Sequence, residues 1–297
     1  MMTWNILYRG SLSSCNYECD YCPFAKTANS IGELRQDEAE LGRFVEWVGR
    51  QSHRIGLLFT PWGEALIHRY YRRALVTLSR LPNVYRVAIQ TNLSAPIDDL
   101  LDSNRTTLAL WTTFHPSQIA LQKFVARCGE LNEAKIRYSV GVVGLKENIA
   151  AIEALRSALR PEVYLWVNAY KRQPGYYVEE ERRQIQTVDP YFHWNCVDHP
   201  SEGKPCSSGE TSFSVDGHGD VRRCHFLKDV IGNIYDGTFP DCLKPRRCTA
   251  RACGCYIGYI HRTDLPMSQL YGDGLLERIP ARWPKQLFPQ PRRPLFL

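Results

Sequence analysis

A chain of 297 residues, 44% of them hydrophobic, can form one large α/β unit or such a unit with a small appendage, and wholesale disorder is excluded. No stretch approaches the eighteen or more consecutive apolar residues of a membrane span, and Met1-Met2-Thr3-Trp4 lacks the basic start and apolar run of a signal peptide, so a soluble cytoplasmic protein is expected. The formal charge of +6 is uneven: residues 242–297 carry ten Lys/Arg against three Asp/Glu, a local +7 that leaves −1 for residues 1–241.

In chain order, residues 4–8 read as a short strand followed by the small-residue loop Gly10-Ser11-Leu12-Ser13-Ser14. Leu41, Phe44, Val45 and Val48 give residues 37–50 the apolar face of a helix. Further strands are predicted over 55–60, 84–90, 108–114, 136–143 and 163–170, and helices over 70–81, 116–129, 147–159 and 177–188. Strands alternating with helices in this way argue for parallel βα units in an open sheet or a barrel, with functional groups on loops at the strands' C-terminal ends. Lys171-Arg172-Gln173-Pro174-Gly175 reads as a boundary, and from Cys206 onward turns, glycines and cysteines dominate, so a second, metal-stapled module is expected. Pro280, Pro284, Pro289, Pro291 and Pro294 predict an extended final stretch.

The eleven cysteines are an odd number, which argues against a closed disulfide set, and in a reduced intracellular chain clustered thiols suggest metal or catalysis. Cys15-Asn-Tyr-Glu-Cys19-Asp-Tyr-Cys22 has the spacing C-x3-C-x2-C. Three thiolates can hold three irons of a [4Fe-4S] cube and leave the fourth iron open. A zinc knuckle is the plain alternative, but structural zinc is closed by four ligands and this tract offers no obvious fourth.

On this tract, with Tyr21 as the aromatic before the last cysteine, the chain resembles the radical SAM superfamily, whose C-x3-C-x-aromatic-C lies after the first strand of a partial (βα)6 TIM-like barrel. The resemblance implies that Cys15, Cys19 and Cys22 bind a [4Fe-4S] cluster and that the methionyl group of S-adenosylmethionine chelates its open iron. Reductive cleavage would then give a 5′-deoxyadenosyl radical that abstracts hydrogen from a substrate. It also assigns cofactor contacts. Gly63 and Glu64, in Pro61-Trp62-Gly63-Glu64, stand where the family has a Gly-Gly-Glu stretch, with Trp62 replacing the first glycine. Val142, Gly144 and Glu147 resemble its hydrophobic-x-Gly-x-x-Glu pattern near the adenosyl group, and Glu147 read as an ordinary helix start is the even alternative. Gln90, Asn92, Thr112 and Thr113 are polar candidates on the same rim, and Lys123, Arg127 or Arg137 could meet the methionyl carboxylate. Cys128 reads as a core thiol and His115 as a satisfied loop histidine.

In the last third, Cys206, Gly219 and Cys224 fit C-x(9–15)-G-x4-C, which resembles the opening of SPASM and Twitch modules, and residues 213–223 read as two short strands around a turn. Cys242-x5-Cys248-x4-Cys253-x-Cys255 departs from the full SPASM pattern, so one auxiliary [4Fe-4S] cluster is expected: Cys206, Cys224 and Cys253, with Cys248 or Cys255 as fourth ligand. Zinc is the open alternative, and Cys196 and Cys242 read as spare thiols.

The resemblance thus implies a barrel over 1–175, a linker helix region over 176–200, a Cys-rich auxiliary-cluster domain over 201–262 and a basic Pro-rich tail over 263–297. A ribosomally made peptide or protein is the expected substrate, giving oxidation or crosslinking, with flavodoxin or ferredoxin as electron donor. A small sugar or amino-acid-derived alcohol is the second choice of substrate. A zinc-stapled nucleic-acid-binding protein using Trp283, Phe288 and Phe296 is the alternative of another class, weakened by the modest charge and by the lack of a nucleic-acid motif.

Overall fold

The computed structural model describes residues 3–24, 27–237 and 239–283. Six parallel strands alternate with helices: β1 (Thr3–Arg9), α1 (Ile31–Gly49), β2 (Arg54–Phe59), α2 (Arg69–Arg80), β3 (Val84–Thr91), β4 (Leu108–Phe114), α3 (Leu121–Glu133), β5 (Arg137–Gly144), α4 (Ile149–Ala158) and β6 (Leu165–Ala169). Then come α5 (Glu179–Val188), α6 (Phe192–Asn195), β7 (His199–Pro200), β8 (Ser212–Asp216), β9 (Asp220–Arg222), β10 (Val230–Asn233), β11 (Ala252–Cys253), α7 (Tyr256–Tyr259) and α8 (Met267–Tyr271).

The predicted α/β architecture stands, and two helix starts move. α1 begins before its apolar stripe because Ser30 caps it: the Ser30 hydroxyl accepts from the Glu33 amide, and the Glu33 carboxylate accepts from the Ser30 amide. α3 starts only at Leu121, because Pro116 and Ser117 make a turn closed by Gln118 N–H donating to the His115 carbonyl at 2.9 Å.

The strand order β10-β9-β8-β1-β2-β3-β4-β5-β6 makes one nine-stranded sheet. β8 lies parallel to β1, whereas β8, β9 and β10 run antiparallel, with Gly219 supplying the positive φ of the β8–β9 turn. The Cys-containing hairpin read from sequence as part of a separate module is therefore an extension of the barrel sheet. Along β1 to β6, Tyr8 pairs with Phe59, Phe59 with Ile89, Thr91 with Thr112, Phe114 with Val142, and Gly144 with Ala169. The strands end level, so their following loops share one rim.

Side-chain alternation divides the sheet into two faces. Ile6, Leu57, Val87, Leu110, Val140 and Val167 pack against the helices. Leu7, Leu58, Ala88, Ala109, Trp111 and Trp166 face inward, where Tyr256, Tyr259, Met267, Tyr271 and Leu276 cover them. Residues 263–283, expected as part of an extended tail, thus close the inner face instead. Their sequence hides this because the apolar groups are interrupted by charges that find buried partners: Glu277, fully buried, pairs with Arg86 at 3.1 Å and Arg137 at 3.0 Å. The remaining residues of that expected tail, 284–297 with Phe288 and Phe296, lie outside the described residues.

Candidate active site

The first cysteine loop leaves β1 at Gly10 and is tied down by side chains in place of secondary structure, which satisfies its backbone donors. Leu12 N–H donates to Asp37 at 3.1 Å, Ser13 and Ser14 N–H both donate to the Asn29 side-chain carbonyl at 2.8 Å, and Glu18 N–H donates to Gln118 at 3.0 Å. Gly63 is obligatory: a Cβ there would lie 1.7 Å from the Ser14 carbonyl oxygen. The Glu64 amide donates to that same oxygen at 3.1 Å. The Glu64 side chain turns inward and accepts from Leu66 N–H (3.0 Å), the Thr91 hydroxyl (2.7 Å) and Asn92 N–H (2.5 Å). Burial pushes its carboxyl up to about 7 against those bonds. The amide and carboxylate of Glu64, expected at the cofactor, are thus spent bracing the cysteine loop and the β3 turn from behind.

The sulfurs carry their own contacts. Cys15 Sγ accepts from Tyr17 N–H at 3.4 Å and has the Asn92 side-chain amide at 3.9 Å, and that amide also donates to Asn16 at 3.0 Å. Cys19 Sγ lies 3.4 Å from His115 Nδ1, which the Tyr21 hydroxyl also meets at 2.7 Å. Burial lowers the His115 pKa to about 4, so its ring is neutral near pH 7. His115, read from sequence as a satisfied loop residue, is therefore part of the cysteine site. The available signal was its place directly after β4.

Beside this loop lies a cavity of about 340 Å³ lined by Asp20, Tyr21, Ser117, Leu145, Glu147, Asn148, Tyr170 and Arg172. Tyr21 and Glu147 thus share a site across the rim. Arg172, missed in the sequence, donates to the Tyr21 carbonyl at 2.9 Å. Other candidates fall elsewhere. Gly144 is required because a Cβ would meet Val167 at 2.8 Å and the Tyr177 hydroxyl at 2.9 Å, so it serves β5–β6 packing. Val142 is buried on the helix side, and so is Thr112, whose hydroxyl donates to the Ser139 carbonyl at 2.8 Å. Thr113 and Gln90 take the opposite, inward face by alternation. Of the three candidate cations, Arg137 pairs with Glu277 far from the rim loops, while Lys123 and Arg127 line a second cavity that meets the cysteine loop at Tyr17.

In the C-terminal part, Cys206, Cys224, Cys248 and Cys253 line one cavity together with Phe226, Leu227 and Gly258. Their approach is fixed by Arg223, which donates to the carbonyls of Ser208, Arg246 and Arg247 at 3.3, 2.9 and 2.8 Å. Gly258 is needed against the sulfur, since a Cβ would sit 2.7 Å from Cys253 Sγ. Burial and the neighbouring thiols Cys224, Cys248, Cys255 and Cys206 push the Cys253 thiol up to about 12. Cys248, one of the two alternatives for the fourth place, lines this cavity with the other three. Cys255 does not line that cavity, and Cys128 is buried beside Phe124 and Leu131 as expected of a core thiol.

No protein-family model and no curated protein matches the chain. Solved structures do. Native anSMEcpe with bound AdoMet and Kp18Cys peptide aligns with a TM-score of 0.56 at 14% identity over 82% of this chain and 81% of that one. Native anSMEcpe with bound AdoMet aligns at 0.55 and 15% identity over 80% of each chain, and the Cp18Cys peptide complex at 0.53 and 13% over 81% and 80%. The fold is the radical SAM fold.

Within that radical SAM fold the donor set suits two clusters. Cys15, Cys19 and Cys22 share the one loop between β1 and α1, where the Cys22 N–H donates to the Cys19 carbonyl at 3.0 Å. Among the described residues no three His, Cys, Asp or Glu side chains converge on a single-ion position. A cube does not require that, because each thiolate takes its own iron. Three thiolates would leave one iron of a cube free for a non-protein ligand, whereas the four cysteines of the C-terminal cavity would be enough to close one. No described helix is long and apolar enough to cross a membrane.

Proposed function

We propose that the chain is a radical SAM enzyme. The observation that carries this reading is the juxtaposition of a three-cysteine loop at the rim with the adjoining cavity of Tyr21, Glu147, Asn148 and Arg172. A [4Fe-4S] cluster and S-adenosylmethionine bound there would supply reductive cleavage to methionine and a 5′-deoxyadenosyl radical that takes hydrogen from a substrate. The chain's own residues hold and orient. Cys15, Cys19 and Cys22 are the cluster ligands, and Asn92 and His115 contact two of their sulfurs. Glu147 and Asn148 offer acceptors to ribose hydroxyls, and Arg172 fixes the Tyr21 backbone that forms the cavity wall. Trp111 and Trp166, with the aromatic residues of the C-terminal plug, keep the inner face dry.

Cys206, Cys224, Cys248 and Cys253 would hold an auxiliary cluster, which would supply an electron acceptor or an anchor for the hairpin. A ribosomally made peptide or protein is the substrate we favour, giving oxidation or crosslinking. The peptide complexes among the anSMEcpe structures support this, as does the basic balance of residues 242–297. A flavodoxin or ferredoxin supplies the electron, and the protein acts in the cytoplasm. Anaerobically reconstituted protein is expected to release 5′-deoxyadenosine with dithionite and S-adenosylmethionine. Zinc-loaded, colourless protein without that product sinks the reading.

A further inference from the structure

A further cavity at the rim, of about 330 Å³, lies where β1 and β8 end, and it shares no lining residue with the cavity beside Tyr21. Its wall runs from Arg9 and Gly10, where the first cysteine loop begins, across Trp62 after β2 to Asp216, Arg222 and His225. The charged groups that face it are matched, except one. Arg222 pairs with Asp216 at 2.6 Å, His218 lies 3.6 Å from Glu40, and His225 Nε2 meets the Thr60 hydroxyl at 2.8 Å. Arg9 is half-buried and points inward, as Leu7 does two residues before it. Its Nε donates to the Thr60 carbonyl at 2.6 Å, and its guanidinium carbon lies 3.9 Å from the centre of the Trp62 ring. Among the described residues its two terminal nitrogens have no hydrogen-bond partner, and no carboxylate is in ion-pair contact with it.

Trp62 stands in place of the first glycine of the family's Gly-Gly-Glu stretch, and here its indole supports Arg9 and packs on Phe24 with ring centres 4.5 Å apart. A planar guanidinium fork held on an aromatic face and lacking an anion matches a carboxylate in both shape and charge. One unmatched charge, with Asp216 in the same wall, suits a single negative charge better than a dianion such as phosphate. Glu147 and Asn148, the acceptors offered to the cofactor's ribose, lie in the other cavity, which leaves this one to the substrate. We infer that Arg9, held on Trp62, is a subsite that binds a carboxylate of the substrate. The word substrate rests on the radical SAM reading, and the subsite makes Arg9 a specificity-determining residue.

The subsite can be read without turnover. Phenylglyoxal forms a covalent adduct with a guanidinium group, so its rate at Arg9 reports whether the fork is occupied. The rate is followed by fragment-resolved mass spectrometry of the reconstituted holoprotein, with exposed Arg50 as the internal control. Phenylacetate and phenylacetamide, one anionic and one neutral at nearly the same size, are the probes at constant ionic strength. Phenylacetate is expected to protect Arg9 at about a tenfold lower concentration than phenylacetamide, the low end for a charge-assisted hydrogen-bond pair, and neither should protect Arg50. Equal protection by the two probes, protection of Arg50 to the same degree, or an Arg9 that phenylglyoxal does not reach overturns the inference. Protection by S-adenosylmethionine alone, equal to that of phenylacetate, also overturns it by assigning the cavity to the methionyl carboxylate. Protection needs no radical chemistry and 5′-deoxyadenosine formation is a separate assay, so failure of the subsite and failure of the radical SAM reading are distinguishable.

Discussion

The two cysteine groups differ in how the chain delivers them. Cys15, Cys19 and Cys22 come from one continuous loop whose backbone is pinned by Asp37, Asn29 and Gln118 and whose approach to β2 is set by Gly63. Cys206, Cys224, Cys248 and Cys253 come from four separate points of the chain, gathered by Arg223 around an enclosed cavity. Three ligands on a rim next to a cavity leave a position for chemistry, whereas four ligands facing one another leave none. On the proposed reading the same side chain serves a reactive site in one place and a closed one in the other, according to ligand count and surroundings.

The largest test of that contrast is on activity. Cys19→Ala is expected to abolish 5′-deoxyadenosine formation, whereas Cys224→Ala should keep part of it, uncoupled from substrate, while losing about four of about eight Fe per chain. Equal loss of product in both breaks the division. A sharper test is in iron alone: Cys248→Ala should lose the C-terminal cluster's iron and Cys255→Ala should retain it, read by iron analysis and visible absorption. The opposite pattern returns Cys255 to the ligand set.

Smaller effects concern the plug that joins the two regions. Glu277→Gln leaves Arg86 and Arg137 buried without their shared carboxylate and should destabilise by about 3–5 kcal/mol. The exposed Arg50–Glu46 pair should contribute under about 1 kcal/mol by the same denaturation measurement. A further effect is in pH. Burial holds His261, whose Nε2 has no hydrogen-bond partner, down at about 4 against an ordinary 6.5. Between those values the unfolded chain binds the proton and the folded one does not, so stability should fall as pH drops from 6.5 toward 4, by at most about 3 kcal/mol from this group. His261→Asn should flatten that part of the stability profile, and an unchanged slope removes His261 as its source.

What the sequence made legible was local chemistry. The cysteine spacings, the strand-then-loop placement of Gly63 and Asn92, and the hairpin around Gly219 all depend on neighbours in the chain. What it hid was long-range or one residue off. Thr112 and Val142 point to the helices because a strand alternates, and one position decides the face. Arg172 and His115 become site residues only when level strand ends bring their loops to Tyr21. Residues 263–283 read as a charged, Pro-punctuated tail because Glu277 and Arg278 look solvated until Arg86, Arg137 and a ring of aromatics are placed around them. That Cys248 and not Cys255 lines the cavity with Cys206, Cys224 and Cys253 likewise depends on contacts distant in the chain.

The central claim, one open cluster site and one closed one in the same chain, is tested most directly by electron paramagnetic resonance of the reduced protein with and without S-adenosylmethionine. In the unmodified protein one of two [4Fe-4S] signals should shift on adding it, and in Cys19→Ala the remaining signal should not respond. A single cluster type, a signal in Cys19→Ala that still responds, or the absence of any iron signal would contradict the account.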